Sequence, residues 1–207
     1  MPAPPSGTVT FLFTDIEGST KRWENFPDAM ARAVECHDRL LREIIEKNGG
    51  HVFKTIGDAF CAAFSSPRDG VTTALEAQRA IIGQEWGEVA PIKVRMALHT
   101  GVAQERDNDY FGPTVNRVAR ILGTGHGGQT LLSQLTWQMV QGSEPDGAQF
   151  HDFGAHRLKD LAQAEQIFGL LAPGLETEFP PLASLNRQAH NLPVHPTPLI
   201  GRDQEVS

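Results

Sequence analysis

Two aspartates, Asp15 and Asp58, are the side chains in this sequence best suited to chemistry. Asp15 directly follows an apolar, β-branched stretch that begins at Thr8, and Asp58 lies in a Gly-Asp turn between two strand-like segments. If the two strands are neighbours, both carboxylates meet at one end of a sheet. Carboxylate oxygens suit Mg²⁺ or Mn²⁺, and pairs of such ions serve phosphoryl chemistry. The alternative is that each Asp is only a turn or cap residue.

A glycine-containing turn follows Asp15 directly. Gly18, Ser19 and Thr20 are predicted to open a helix, with Ser19 or Thr20 as its N-cap. Free N–H groups at such a helix start can bind a phosphate group. An ordinary N-cap without a ligand is the alternative interpretation.

A third polar group lies between Asp109 and Arg120. Asn116 and Arg120 are four residues apart, so on a helix they would lie one above the other. An amide and a guanidinium placed this way can bind an oxygen-rich ligand, and arginine suits phosphate. A solvated amphipathic helix explains the pattern equally well. Lys54 is set among apolar residues of a predicted strand, and its role depends on the face it occupies.

The elements that position these residues are predicted in the order βαββαβαβαββ. Apolar periodicity predicts strands at 8–14, 51–56, 59–64, 92–98, 130–132, 150–153 and 166–170, and helices from 18 to 48, from 67, from 114 and over 134–140. Residues 104–109 are predicted to be a polar loop. The fold class is therefore α+β, an α/β sandwich with a ferredoxin-like core and helices packed on a mixed, mainly antiparallel sheet.

Proline marks the predicted boundaries of the domain. Of 14 prolines, three lie within residues 1–6 and six lie from Pro173 onward. This distribution predicts a flexible N-terminus at 1–6, a single domain at 7–172 and a Pro-rich tail or linker at 173–207. The 40% hydrophobic and 21% charged residues exclude global disorder.

Charge and cysteine content limit the partners and the compartment. A net charge of −7 argues against direct nucleic-acid binding. Cys36 and Cys61 lack metal-type spacing and are expected to be buried free thiols in a reducing compartment. The first apolar run stops at Asp15 without a basic leader. We therefore expect a cytoplasmic protein with no membrane partner.

Four segments together resemble the catalytic domain of the class III nucleotidyl cyclases, the adenylate/guanylate cyclase family. They are TFLFTDIEGST, FKTIGDAF, VRMALHTG and DYFGPTVNRVAR, in the family's order and spacing. The resemblance covers about residues 7–172. In addition, residues 191–203 resemble the lead-in to the ATPase module of large bacterial transcription regulators, which implies a downstream ATPase and DNA-binding module.

The resemblance implies a role for each candidate residue. It implies that Asp15, Ile16 and Asp58 bind two Mg²⁺ or Mn²⁺ ions per site. Lys54 and Asp109 read the adenine edge, because lysine can donate to N1 and aspartate can accept from the N6 amine.

The remaining implied roles concern the ribose and the phosphates. Asn116 orients the ribose and Arg120 stabilises the transition state. A late lysine on a strand contacts the terminal phosphates, and Lys159 is its best match. The residues with a further substrate-binding role are Gly18, Ser19 and Thr20.

The implied reaction converts ATP to 3′,5′-cyclic AMP and pyrophosphate, at sites shared between the two chains of a head-to-tail homodimer. A guanylate cyclase and a catalytically weak, nucleotide-binding regulatory or dimerisation module are the alternatives. A palm-type polymerase or diguanylate cyclase lacks support, since no GGDEF-like hairpin is present. The chain departs from the family's usual residues at Ser19, Pro113 and Arg117, and Arg117 could disturb dimer packing or aid phosphate binding.

Overall fold

Nine strands form two sheets in the computed structural model, which describes residues 4–185. They are β1 (Thr8–Ile16), β2 (His51–Ile56), β3 (Ala59–Phe64), β4 (Val94–Val102), β5 (Gln104–Arg106), β6 (Asp109–Phe111), β7 (Thr130–Ser133), β8 (Gln149–His156) and β9 (Glu165–Leu171). Seven of them form the main sheet, in the order β2-β3-β1-β4-β7-β9-β8, and β5 and β6 form a separate hairpin. In the main sheet only β4 and β7 pair in parallel.

Helices cover both faces of this sheet. They are α1 (Ser19–Asn25), α2 (Pro27–Lys47), α3 (Pro67–Gly83), α4 (Pro113–Leu122) and α5 (Gln134–Val140), with a short 3₁₀ helix at Gly87–Val89. The apolar sides of α2, α3 and α5 pack into one core cluster, and α4 packs with the β5–β6 hairpin into a second. This architecture confirms the predicted α+β sandwich. Within residues 4–185, no helix combines the length and apolar character needed to cross a bilayer.

Strand β1 lies in the interior of the sheet, between β3 and β4, and is buried on both faces. Leu12 and Ile16 belong to the cluster under α2 and α3, whereas Phe11 and Phe13 belong to the cluster under α4. This alternation follows from the two-residue period of a strand. The prediction of a strand buried on both sides is confirmed.

Two predicted elements differ from the structure. The single helix predicted from residue 18 to residue 48 is interrupted at Phe26, and Pro27 starts α2. Proline lacks the N–H that a helix interior requires but fits a first turn. The predicted polar loop forms the β5–β6 hairpin, whose turn residues Asp107 and Asn108 have φ of 54° and 59°. Asp and Asn tolerate this left-handed conformation, which two-residue hairpin turns require.

Both ends of the described chain contact the domain. The carbonyl of Pro5 accepts a hydrogen bond from the Tyr110 hydroxyl at 2.5 Å. Leu182, in the predicted tail, is buried in the cluster under α4. The ATPase-like segment at 191–203 lies outside the described residues, and the domain boundary at 172 stays a prediction.

The two cysteines are free thiols, as expected. Cys61 is buried, and burial raises the pKa of its thiol to about 12. Cys36 was also expected to be buried but is only half-buried. It lies on α2 next to the fully buried His37, towards the margin of the face that packs on the sheet.

His99 on β4 is a buried structural residue, and its Nδ1 lies 2.7 Å from the Ser133 hydroxyl. Burial, followed by the charge of Arg117, lowers the pKa of His99 from 6.5 to about 4. The unfolded chain therefore binds a proton between these pH values that the folded chain does not. Stability is lost as the pH falls through this window.

We predict that His99→Asn flattens this pH dependence. Between pH 7 and pH 4 the wild type should lose about 3 kcal/mol of unfolding free energy through His99 alone, at 1.36 kcal/mol per pKa unit. Asparagine keeps a polar group near Ser133 but does not titrate. Urea unfolding at both pH values measures the difference, and equal losses in the two proteins would contradict the prediction.

Candidate active site

Asp15 and Arg95 form the first part of the site. They are directly opposite each other in the antiparallel pairing of β1 with β4. Arg95 Nε and Nη2 donate to the two carboxylate oxygens of Asp15 at 2.7 and 2.5 Å. Asp15 was predicted to follow the strand, but it occupies the penultimate position of β1. Its carboxylate is therefore held by a strand rather than by a loop.

Asp58 completes the predicted pair of carboxylates. It lies in the turn between β2 and β3, and its Oδ2 accepts a hydrogen bond from the Ile16 backbone N–H at 3.0 Å. This contact joins the hairpin turn to the end of β1. Asp15, Ile16 and Asp58 thus meet at one end of the sheet, as the sequence predicted.

The donor set fits a divalent cation bound together with phosphate. Within residues 4–185, no group of three or more His, Cys, Asp or Glu side chains is placed to hold a metal ion. Asp15 and Asp58 supply two carboxylates, and the Ile16 carbonyl is a further oxygen donor. Mg²⁺ in nucleotide sites commonly takes one or two carboxylates and completes its shell with phosphate and water. The Arg95 guanidinium already places positive charge against Asp15.

The turn after β1 differs in detail from the prediction. Gly18, with φ of 68°, is the N-cap of α1, and no side chain caps this helix. The expected capping by Ser19 or Thr20 is therefore wrong, because the left-handed turn is made by the glycine backbone. Arg22 holds the turn through a hydrogen bond from Nη1 to the Glu17 carbonyl at 2.8 Å.

Lys54 on β2 and Asp109 on β6 form an ion pair. The hydrogen bond between them raises the pKa of Lys54 and lowers the pKa of Asp109. Both side chains remain partly exposed to solvent. The structure therefore brings the predicted base-reading residues together, with a donor and an acceptor side by side.

Asn116 and Arg120 lie one turn apart on α4, and both are exposed. Pro113, one of the departures from the family pattern, is the first residue of this helix, where its missing N–H costs nothing. Arg120 pairs with Asp160 at 2.7 Å. The predicted helix and its four-residue spacing are confirmed.

Lys159 lies in the loop between β8 and β9, not on a strand as predicted. It lines a cavity of about 290 Å³ that Arg120 also lines. Strand β8 ends at His156, so the lysine is carried by an irregular segment. Lys159 and Arg120 therefore contribute two positive charges to one cavity.

Arg117 on α4 is partly exposed and pairs with the buried Glu165 at 3.0 Å. Glu165 is buried at the start of β9, and burial raises the pKa of its carboxyl while Arg117 lowers it. The sequence suggested that Arg117 could disturb dimer packing or aid phosphate binding, and both stay predictions. Within the chain, its guanidinium ties the helix of Asn116 and Arg120 to the sheet.

Arg95 was not predicted as a site residue from the sequence. It is a single cation between Val94 and Met96, two buried residues of β4. Such a cation within a buried strand needs an acidic partner. That signal was present in the VRMALHTG segment, but only the strand register identifies Asp15 as the partner.

The chain matches the model of the adenylate and guanylate cyclase catalytic domain over residues 1–168. It belongs to this family. Class III cyclase domains generally use Mg²⁺ or Mn²⁺, in agreement with the carboxylates described above. An uncharacterized protein of Mycobacterium tuberculosis is 39% identical over 207 residues, which span 99% of this chain and 70% of that protein. An adenylate cyclase of Lachancea kluyveri is 37% identical over 158 residues, which span 63% of this chain and 8% of that protein.

Solved structures agree with the fold of this cyclase domain. An adenylate cyclase of Trypanosoma brucei in its monomeric state has a TM-score of 0.79 and 27% identity, covering 89% of this chain and 97% of that one. The guanylate cyclase domain of RhGC from Catenaria anguillulae, in complex with GTP, has a TM-score of 0.70 and 22% identity, covering 82% and 99%. The chain thus carries a nucleotidyl cyclase domain, and likeness of fold does not choose between the two nucleotides.

We predict that the Arg117–Glu165 pair stabilises the cyclase domain. Arg117→Met leaves a buried carboxylate without its partner and should lower the free energy of unfolding by about 2 kcal/mol near pH 7. Adding Glu165→Gln removes that charge and should restore at least half of the loss. Urea unfolding of the single and double variants measures both steps. A double variant less stable than Arg117→Met would contradict the prediction.

Proposed function

We propose that this chain is an adenylate cyclase, which converts ATP to 3′,5′-cyclic AMP and pyrophosphate. The Lys54–Asp109 pair is the observation that carries the proposal. Its lysine would donate to adenine N1 and its aspartate would accept from the N6 amine. At the same two positions guanine presents an N1–H donor and an O6 acceptor, so both contacts would become unfavourable.

The bond changes follow from the product. The ribose 3′-oxygen forms a bond to the α-phosphorus, the bond from that phosphorus to the bridging oxygen breaks, and pyrophosphate leaves. The 3′-hydroxyl proton passes to solvent. Asn116 would orient the ribose, and Arg120 would stabilise the charge that develops on the phosphate.

The phosphates of the substrate would lie between the metal-binding residues and Lys159. Asp15, Ile16 and Asp58 would hold divalent ions, which supply positive charge for the phosphates and favour ionisation of the 3′-hydroxyl. When phosphates are present, Arg95 has a second anionic partner besides Asp15. Lys159 would contact the terminal phosphates.

We further propose that two chains associate head to tail and share each site. Ile56 and Phe111 support this arrangement. They follow Lys54 and Asp109 by two residues on the same strands, so they share their faces, and they are 61% and 41% exposed. Exposed large apolar side chains bordered by polar residues are typical of a protein–protein interface.

We predict that the purified chain forms cyclic AMP from ATP with Mn²⁺ or Mg²⁺, and that Asp15→Ala abolishes product. Lys54→Met should lower kcat/KM for ATP roughly 10- to 100-fold because it leaves adenine N1 without a donor. Asp109→Asn should lower it similarly, because a weaker, uncharged acceptor replaces the carboxylate. Product chromatography with ATP and with GTP measures the preference.

Asp107→Asn, at the tip of the β5–β6 hairpin, is the matched control and should retain full activity. Faster turnover of GTP than of ATP would make the chain a guanylate cyclase. No cyclic nucleotide from either substrate, in a chain shown to be dimeric, would favour the regulatory module.

We predict that mixing Asp58→Ala with Asn116→Ala restores activity that neither variant has alone. In a randomly paired mixture half of the dimers are mixed, and each mixed dimer holds one intact site. Recovery should therefore approach about a quarter of the wild-type rate. Mixing Asp15→Ala with Asp58→Ala is the control and should restore nothing, since both variants damage the same half-site. Equal rates in the two mixtures would rule out shared sites.

A further inference from the structure

The last described residues, 181–185, lie beyond the region that matches the family model, which ends at residue 168. They occupy the space between the C-terminal end of α4 and the loop after β8. We call this segment the C-terminal clasp. Arg120 is on α4 and Lys159 is in that loop, so the clasp lies between the elements that carry the two cations.

Backbone hydrogen bonds attach the clasp to both elements. The Ala183 N–H donates to the Thr124 carbonyl at 2.9 Å, and the Leu185 N–H donates to the Arg157 carbonyl at 3.0 Å. Thr124 comes two residues after α4, and Arg157 directly follows β8. The clasp therefore bridges these two points with its main chain.

Side chains add two further contacts. His126 Nε2 lies 3.2 Å from the Pro181 carbonyl. His156 Nε2 lies 3.1 Å from the Phe153 carbonyl, so this nitrogen must carry the proton. In the neutral ring its Nδ1 is then an acceptor, and it receives the Ser184 hydroxyl at 2.8 Å. Ser184 is thus held by a histidine whose orientation is already fixed.

Leu182 gives the clasp an apolar anchor. Its side chain is 4% exposed and belongs to the same core cluster as Ile121 and Leu158. Ile121 directly follows Arg120, and Leu158 directly precedes Lys159. Arg120 and Lys159 are therefore sequence neighbours of two residues that pack in the same buried cluster as Leu182.

The direct link between α4 and this loop is weak by comparison. Arg120 and Asp160 form an ion pair whose side chains are 42% and 60% exposed. Pairs this exposed contribute little to stability. A buried leucine with four hydrogen bonds around it is the stronger constraint on the cavity that Arg120 and Lys159 line.

We propose that the C-terminal clasp positions Arg120 and Lys159 for catalysis, with Leu182 and Ser184 as positioning residues. Ala183, Ser184 and Leu185 line the same cavity of about 290 Å³ as the two cations. Release of the clasp would let α4 and the Lys159 loop separate. The inference rests on the proposed function, because it assigns Arg120 and Lys159 to the phosphates of the substrate.

The test compares Ser184→Ala and Leu182→Ala with conservative variants in the full chain. Ser184→Ala and Leu182→Ala should lower kcat for cyclic AMP formation at least about fivefold and change KM for ATP less, because Arg120 acts in the transition state. Ser184→Thr and Leu182→Met keep the hydroxyl and the apolar anchor and should retain most of kcat. Leu135→Ala, an exposed leucine on α5, is the matched control.

Amide hydrogen exchange without nucleotide gives a readout independent of activity. Ser184→Ala should speed exchange in residues 157–161 and leave exchange in β1 unchanged. Unchanged exchange in 157–161 would overturn the clasp, whether or not the wild type makes cyclic nucleotide. Faster exchange with full kcat would overturn its positioning role. A wild type that makes no cyclic nucleotide would count against the proposed function alone, and exchange would still decide the clasp.

Discussion

The pairing of β1 with β4 is the constraint on which the site depends. Because β1 is buried on both faces, a shift of one residue would exchange Phe11 and Leu12 between two cores with different members. The register is therefore fixed by apolar packing along the whole strand. That register sets Asp15 opposite Arg95. A polar pair at the end of the strand is thus positioned by residues that take no part in chemistry.

The charged side chains of the site neutralise one another in ion pairs when no ligand is bound. Asp15 pairs with Arg95, and Lys54 pairs with Asp109. All four side chains are partly exposed, so under the proposed function each pair is open to exchange of one partner for a group of the nucleotide. The Arg117–Glu165 pair differs, because Glu165 is buried. Its loss would leave an uncompensated charge, which makes it a structural contact rather than an exchangeable one.

Local patterns made part of this structure predictable. Three features depend only on residues that are close together in the chain. They are the alternation in β1, the Gly-Asp turn before β3 and the four-residue spacing on α4. The partner of Arg95 could not be predicted in this way, because the pairing with Asp15 depends on which strands become neighbours. The Asp107-Asn108 turn was missed for another reason: it lacks the glycine that gives the strongest hairpin signal. The prediction that Lys159 lies on a strand was also wrong, because β8 ends three residues before it.

Helix α4 shows why residues outside the cyclase motifs matter to the candidate site. With 10 residues it is too short to be stable in isolation, so its orientation comes from tertiary contacts. Val118 and Ile121 pack it on the sheet, Arg117 ties its middle to β9, and the clasp contacts the chain just after its end. Asn116 and Arg120 project from the opposite, exposed side and have few contacts of their own. Their geometry is therefore set from the buried side of the helix. Under the proposed function, substitutions on that side would change catalysis without contacting the substrate.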